Sequence, residues 1–332
     1  MIQNLQLLRA FAALNVVLFH AIGTSASYDY ETNFISALKG WGANGVDIFF
    51  VISGFVMLLS QLENKRSVKD FLVLRAIRIV PIYWLLTLSV IALAIFTPSL
   101  LRSGGVISME SLLASLGFLS QAITGKAPVV YVGWSLEWEM LFYLVFGLSL
   151  YFRSWKATLI TTFSVLLGIS LFTSFLMLLE FIAGMCIAIL YKCYGWRSYG
   201  KLALFLGVLL LFSSLLDNVR LLIDNRVILW GVPSIFIVYG VISVEQIRST
   251  IGKLLGDASY SIYLMQMFSI PAYYKFLTAL KIQLNNDLLI VICLVATALG
   301  GVAMYLLIEK PMLSFLKSRI FAHKNASKAK GI

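Results

Sequence analysis

The sequence contains little charge for its length. Of 332 residues, 12% are charged and 60% are hydrophobic, whereas soluble domains average about 25% charged and about 45–50% apolar residues. The mean hydropathy is +0.92. So few polar side chains cannot cover a globule of this size in water. This excludes a soluble enzyme, a disordered chain and a disulfide scaffold, and indicates a protein whose solvent is a lipid bilayer.

Cysteine and histidine are equally scarce. The three cysteines, Cys186, Cys193 and Cys293, form no C-x-x-C pair and are interpreted as small buried hydrophobic residues. The two histidines are His20 and His323. We expect no resident metal ion.

Long apolar segments are what the sequence has in abundance. Crossing a bilayer takes about 20 apolar helical residues. The chain is therefore predicted to be an all-α, polytopic membrane helix bundle of about ten transmembrane helices. A shorter apolar stretch, Leu112–Ala122, is expected to form a re-entrant or surface helix. The predicted spans are 5–24, 43–61, 79–97, 134–153, 157–175, 177–194, 202–216, 227–244, 257–279 and 287–309.

The few charges are predominantly positive, with 26 Lys and Arg against 15 Asp and Glu. In a membrane protein such an excess indicates orientation rather than a nucleic-acid partner. With the N-terminus inside, 18 cations fall in inner loops and seven in outer loops, so both termini are predicted to be cytoplasmic. We expect a membrane domain over 1–309, a basic cytoplasmic tail over 310–332 and no second soluble domain. The seven outer cations are Lys39, Arg102, Lys126, Arg220, Arg226, Lys275 and Lys281.

Ionisable side chains inside the predicted spans are costly, so each is a functional hypothesis. His20 has the side chain best suited to proton transfer near neutral pH. A lone histidine in a helix is more often structural. Arg9 precedes it by eleven residues, about three helical turns, so both side chains project from one face. Arg9 is expected near the cytoplasmic end and His20 in the outer half.

The carboxylates inside the spans are sorted by predicted depth. Asp47 and Glu139 are expected in the outer layer with His20. Glu137 points away from Glu139 and is expected at the rim. Glu180 either reaches the same outer layer or hydrogen-bonds a neighbouring helix.

Arg75 and Arg78 lie nearly one turn apart at the start of the third predicted span. With Arg9 at similar depth, they form a possible clamp for an anion. Arginines beside a span also serve simply to fix its orientation. The predicted arrangement has cations toward the cytoplasm and a histidine with carboxylates in the outer half. It suits a phosphorylated donor on the cytoplasmic side and an acceptor on the other.

Several motifs together resemble the acyltransferase-3 family of integral membrane acyltransferases. Arg9 and His20 fit its basic residue and histidine separated by ten residues. The segments G-V-D-I-F-F-V-I-S-G-F (45–55) and F-L-V-L-R-A-I-R-I-V-P-I-Y-W (71–84) match its signatures. G-W-S-L-E-W-E-M-L-F-Y-L (133–144) assigns the family glutamate to Glu139. L-L-E-F-I-A-G-M (178–185) and G-D-A-S-Y-S-I-Y-L (256–264) are similar to the exopolysaccharide and O-antigen acetyltransferase branch, and the resemblance to the family extends as far as E-K-P (309–311).

The resemblance implies a donor and a direction. It implies an enzyme of a bacterial inner membrane that moves an acyl group, most simply acetyl, from cytoplasmic acetyl-CoA or another acyl-CoA. The acceptor would be a hydroxyl of a surface polysaccharide or of a lipid-linked glycan. Arg75 and Arg78, with Arg9, would bind the donor phosphates.

The resemblance also implies roles at the outer end. His20 would be the general base, and Glu139 or Asp47 would orient its imidazole. Trp134 and Ser135 would shape the acceptor site. An acyl intermediate on His20 or on Ser53 is a less favoured variant.

Two positions depart from the family pattern. Leu74 stands where a second arginine is common, and Gln266 stands where a histidine often follows the S-Y-S-I-Y-L segment. Gln266 is expected to act by hydrogen bonding alone, if it has a role in catalysis.

A secondary transporter or lipid flippase is the alternative to an enzyme, because buried charges in about ten helices also describe a carrier. A carrier would more often show two similar halves, and the sequence contains no such repeat.

Overall fold

The computed structural model describes residues 2–28, 30, 34–97, 107–195, 198–282 and 284–329. The predicted loop cations Arg102, Arg197 and Lys330 lie outside these ranges. Within them the chain is helical and contains no strand. The α-helices are α1 (Gln3–Ser25), α2 (Asn44–Glu63), α3 (Val68–Phe96), α4 (Met109–Leu116), α5 (Ser120–Thr124), α6 (Trp134–Ser149), α7 (Trp155–Thr173), α8 (Leu178–Cys193), α9 (Gly200–Ser213), α10 (Asp217–Leu222), α11 (Val232–Ser243), α12 (Thr250–Asp257), α13 (Ser259–Ala279), α14 (Asn286–Met304) and α15 (Lys310–Ala329).

Each of the ten predicted spans coincides with a helix of the structure, within a few residues except that α3 begins eleven residues before its predicted span. Five helical stretches in the described chain are long and apolar enough to cross a membrane by themselves. They are Gln3–Tyr28, Trp41–Glu63, Val68–Phe96, Trp155–Thr173 and Asn286–Ile320.

The predicted short helix around 112–122 is divided into α4 and α5. The two meet at a turn in which Phe118 has a φ of 57°. The indole N–H of Trp84 in α3 donates to the Leu116 carbonyl at 2.9 Å, so this short pair is tied to the side of the bundle.

Helices α1 and α2 are antiparallel and begin at different depths. The Asn15 side-chain amide donates to the Asn44 side-chain oxygen at 2.9 Å. A Cβ placed on Gly45 would lie 2.3 Å from the carbonyl oxygen of Ala12, so only glycine allows this approach. Because Asn15 lies beside the first residue of α2, the last part of α1, with His20, extends past the start of α2.

Helices α2 and α8 run parallel and pack through glycine. A Cβ on Gly54 would lie 1.9 Å from the Phe181 carbonyl oxygen, and one on Gly184 would lie 2.0 Å from that of Val51. Small residues at a helix crossing let two backbones approach closely. This contact fixes α2, which carries Asp47 and Ser53, against α8.

Two π-helical turns interrupt the later helices. Val227–Gly231 leads into α11, and Tyr305–Glu309 joins α14 to α15. The segment predicted as a basic tail is therefore helical as far as Ala329. Turns of this type are frequent at functional sites. Partly exposed Arg226 directly precedes the first turn, and buried Glu309 is the last residue of the second.

Candidate functional site

Three arginines from two helices meet at the end of the bundle where α1 begins, which we call the basic end. Arg75 and Arg78 lie on α3, and both Arg75 and Arg9 of α1 are in electrostatic contact with Arg78. The predicted clamp of Arg9, Arg75 and Arg78 is thus brought together by the fold.

Arg75 has no ion-pair partner within the part of the chain that the structure describes. Its guanidinium lies 5.7 Å from the centre of the Phe71 ring and 5.9 Å from that of Tyr143. Its Nε is buried and has no hydrogen-bond acceptor among the described residues. Buried polar groups normally have a partner, so this N–H is free to donate to a ligand.

Glu139 lies at the basic end and not beside His20. One of its carboxylate oxygens accepts hydrogen bonds from Ser53 Oγ and from the Tyr143 hydroxyl, both at 2.5 Å. The same carboxylate is in electrostatic contact with Arg9 and Arg75. The expected outer layer of His20 and Glu139 therefore does not form, because Ser53 lies nine residues beyond the start of α2, about 14 Å along the helix.

Glu309 is a member of the basic end that the sequence reasoning missed. Its side chain is fully buried, Ser261 Oγ donates to it at 2.6 Å, and Arg78 lies 3.7 Å from its other oxygen. The one sequence feature that points to Glu309 is the family motif E-K-P (309–311), of which it is the first residue. The π-helical turn that brings it inward is not visible in the residue pattern.

His20 lies at the opposite end, which we call the histidine end. Its imidazole makes edge contacts with the rings of Phe19 and Tyr131, at 4.8 Å and 5.1 Å between centroids. Tyr131 belongs to a short 3-10 turn, Tyr131–Gly133, that precedes α6. The side chain of His20 is half-buried.

Asp47 is engaged away from His20. Both of its oxygens accept hydrogen bonds from Arg226, at 3.2 Å from Nε and 2.8 Å from a terminal nitrogen. Asn44 at the start of α2 contacts Asn15 of α1, and Asp47 lies three residues further along α2. Because the helices are antiparallel, Asp47 lies beside a point on α1 that is about eight residues, or about 12 Å, before His20. The structure thus brings neither expected carboxylate to the imidazole.

Ser135 lies one helical turn before Glu139 on α6 and is hydrogen-bonded to Tyr263 of α13. The Tyr263 hydroxyl donates to the Val132 carbonyl at 2.6 Å and lies 2.8 Å from Ser135 Oγ. Tyr263 is also in electrostatic contact with Tyr131 and with Glu139. We give the name polar column to this set of polar side chains, which runs from the histidine end to the basic end: His20, Tyr131, Tyr263, Ser135 and Glu139.

The remaining predicted residues lie around this column. Trp134 packs edge-on against Phe175, with ring centroids 6.3 Å apart. Gln266 is fully buried, and its amide donates to the Tyr263 carbonyl one turn earlier at 2.7 Å. This hydrogen bond lies within α13, and a role of Gln266 in catalysis stays a prediction.

Glu137 has a structural role that differs from the rim position expected for it. It points away from Glu139, as predicted, but is buried, and its two oxygens accept the backbone N–H groups of Ser120 and Gln121 at 2.8 Å and 3.0 Å. It therefore binds backbone N–H groups at the start of α5, which have no acceptor within the helix.

Comparison with known proteins gives the family. A family profile described as an acyltransferase domain matches residues 2–306. The exopolysaccharide production protein ExoZ of Rhizobium meliloti is 35% identical over 311 residues, which is 82% of this chain and 90% of that protein. The peptidoglycan O-acetyltransferase OatA of Listeria monocytogenes is 29% identical over 178 residues, covering 49% of this chain and 28% of that protein. No solved structure matches the chain.

A match of this extent, together with several apolar helices long enough to cross a bilayer, identifies a multi-pass membrane protein and an enzyme that transfers acyl groups other than aminoacyl groups. The chain belongs to the acyltransferase-3 family.

Proposed function

We propose that this protein transfers an acetyl group from cytoplasmic acetyl-CoA to a hydroxyl of a surface polysaccharide or of its lipid-linked precursor. The two relatives favour this choice, since one is an exopolysaccharide production protein and the other a peptidoglycan O-acetyltransferase. The observation that carries the proposal is the polar column, which joins a group of arginines at one end of the bundle to a histidine at the other.

The basic end is the proposed donor site. We place it at the cytoplasmic face of a bacterial inner membrane, with about ten spans and both termini inside. The phosphates of the donor would contact Arg75 and Arg78, and Arg9 would lie deeper. The unpartnered Nε of Arg75 supplies a donor for a charge-assisted hydrogen bond. The pantetheine arm would then follow the polar column toward His20.

The histidine end is the proposed site of transfer. His20 takes the proton of the acceptor hydroxyl while that oxygen bonds to the thioester carbonyl carbon. The carbon–sulfur bond breaks, and the thiolate receives the proton from the imidazolium. Trp134 and Ser135 line the approach of the acceptor from α6.

Glu139 and Asp47 act at a distance from the imidazole in this proposal. Glu139 fixes Ser53 and Tyr143 beside the path of the donor, and Asp47 fixes the start of α2 through Arg226. The Ser53–Glu139 hydrogen bond also resembles a nucleophile beside a base. A two-step reaction through acetyl-Ser53 is therefore the variant to test.

The test uses purified protein in detergent with radiolabelled acetyl-CoA, first alone and then with a soluble glycan acceptor. Label on the glycan and release of free CoA are the expected results. Label retained on the protein with donor alone would indicate the two-step variant.

Absence of any transfer, combined with movement of an unmodified glycan or lipid precursor across proteoliposomes, would contradict the proposal. That result would favour the carrier.

A further inference from the structure

A buried carboxyl group outside the polar column, that of Glu180, accepts no hydrogen bond from an N–H or O–H group in the described part of the chain. Glu180, in the first turn of α8, is 1% exposed. Its neighbour within hydrogen-bonding reach is another carboxyl group, that of Asp47 on α2. Two acceptors that face each other in an apolar interior require a hydrogen between them.

The nearby cation is committed to the other member of this pair. Arg226 directs Nε and one terminal nitrogen at the two oxygens of Asp47, and the same nitrogen reaches the Ala43 carbonyl at 2.9 Å. Its guanidinium lies over the ring of Trp230 at 4.9 Å. Among the described residues, Asp47 and Arg226 are the charged groups that face Glu180.

Charge balance gives the state of the pair. Two ionised carboxylates beside one guanidinium would leave a buried negative charge, which costs far more than a neutral acid with a hydrogen bond. We infer that Asp47 and Glu180 form a buried proton-binding site, in which Glu180 carries one proton and donates it to Asp47. The site then holds one positive charge, one negative charge and one neutral acid.

The packing around Glu180 encloses this site. A Cβ on Gly231 would lie 2.5 Å from a Glu180 oxygen, so a side chain at that position would displace the carboxyl group. Gly231 ends the π-helical turn that begins directly after Arg226. On the other side, the close approach of α2 and α8 at Gly54 and Gly184 closes the gap. The proton thus joins α2, α8 and the start of α11.

Infrared spectroscopy of the purified full-length protein tests this directly, because a protonated carboxylic acid has a carbonyl stretch that a carboxylate lacks. We expect the band of one buried acid near neutral pH. Carbon-13 labelling of glutamate should shift that band and place it on a glutamate rather than on Asp47. This measurement needs no variant, so it stands if substitutions prevent folding.

Glu180→Gln is the matching variant, and Glu137→Gln is its control. The first should lose the band and stay folded, since the amide N–H replaces the donated hydrogen. The second should keep the band, because Glu137 accepts two backbone N–H groups of α5 and is not part of the Asp47–Glu180 pair.

A spectrum without the band, or a band removed by Glu137→Gln, would overturn the inference. A missing band together with a melting temperature that rises in sodium chloride but not in choline chloride would also overturn it. A sodium ion, and not a proton, would then bridge the two carboxylates.

Discussion

The arginines of the basic end differ in what surrounds their guanidinium groups. Arg78 has a carboxylate partner, Glu309, whereas Arg75 is held between the rings of Phe71 and Tyr143. An arginine packed on aromatic faces keeps its N–H groups available. This arrangement supports the proposal that the arginines of this end bind the phosphates of the donor and do not only orient α3.

Replacing Arg75 and Arg78 together with alanine is expected to raise the KM for acetyl-CoA at least tenfold. A hydrogen bond to a charged group contributes about 1.5–3 kcal/mol, and each 1.4 kcal/mol is about tenfold in affinity. Steady-state kinetics with purified protein measure this. Arg153→Ala is the matched control, an exposed arginine after α6, and should leave KM unchanged. An unchanged KM in the double variant would reduce both arginines to orientation signals.

Replacing Glu309 with glutamine is expected to lower the KM for acetyl-CoA about fivefold. At 3.7 Å the Arg78–Glu309 pair is too long for a hydrogen bond, so the carboxylate competes with a phosphate more than it positions the arginine. Loss of a partly exposed ion pair is worth about 1 kcal/mol. Ser261→Ala, which removes the hydrogen bond to Glu309 without changing charge, is the control. A raised KM in the glutamine variant would show that Glu309 chiefly positions Arg78.

At the scale of elements, α2 decides which side chains meet. It starts beside Asn15 of α1, it crosses α8 at Gly54, and it carries Asp47 and Ser53 to different depths. Ser53 therefore meets the glutamate of α6, and Asp47 meets an arginine ahead of α11.

The sequence predicts that α2 is a helix, but it does not predict the depth at which α2 begins in the bundle. Apolar runs and the spacing of Arg9, Arg75 and Arg78 are local properties, so the helices and the arginine group follow from the residues. The depth at which α2 and α6 begin depends on packing against α1, α3 and α8. The level of Glu139, and the partner of Asp47, could not be derived from spacing alone.

Gly54→Ala and Gly184→Ala are expected to destabilise the fold by about 3 kcal/mol or more, because each new Cβ would overlap a backbone carbonyl oxygen. Thermal unfolding in detergent measures the effect. Gly168→Ala in α7 is the matched control, since a Cβ there meets nothing within 4 Å and alanine favours a helix. Equal melting temperatures for all three variants would contradict the close packing of α2 and α8.

At the scale of the whole molecule, the polar column joins two chemically different ends. Arginines lie at one end, a histidine with aromatic neighbours lies at the other, and apolar helices surround the column. An enzyme that takes a phosphorylated donor from one side of a membrane and modifies an acceptor on the other needs this separation.

The proposed orientation predicts which surface residues a membrane-impermeant thiol reagent reaches. In a variant without Cys186, Cys193 and Cys293, a single cysteine at Lys126 should be labelled in intact cells. One at Lys69 should be labelled only after the membrane is opened. Both positions are exposed, so accessibility on the protein is matched. The reverse pattern would invert the donor and acceptor ends.

The central claim is that the donor binds at the basic end while His20 carries out the transfer at the other end. Purified His20→Ala protein tests it when acetyl-CoA binding and acetyl transfer are measured on the same sample, with His323→Ala as the control. For His20→Ala we expect wild-type affinity for acetyl-CoA and a rate of acetyl transfer at least about 100-fold lower, as for removal of a general base. Transfer at the wild-type rate in His20→Ala would contradict it.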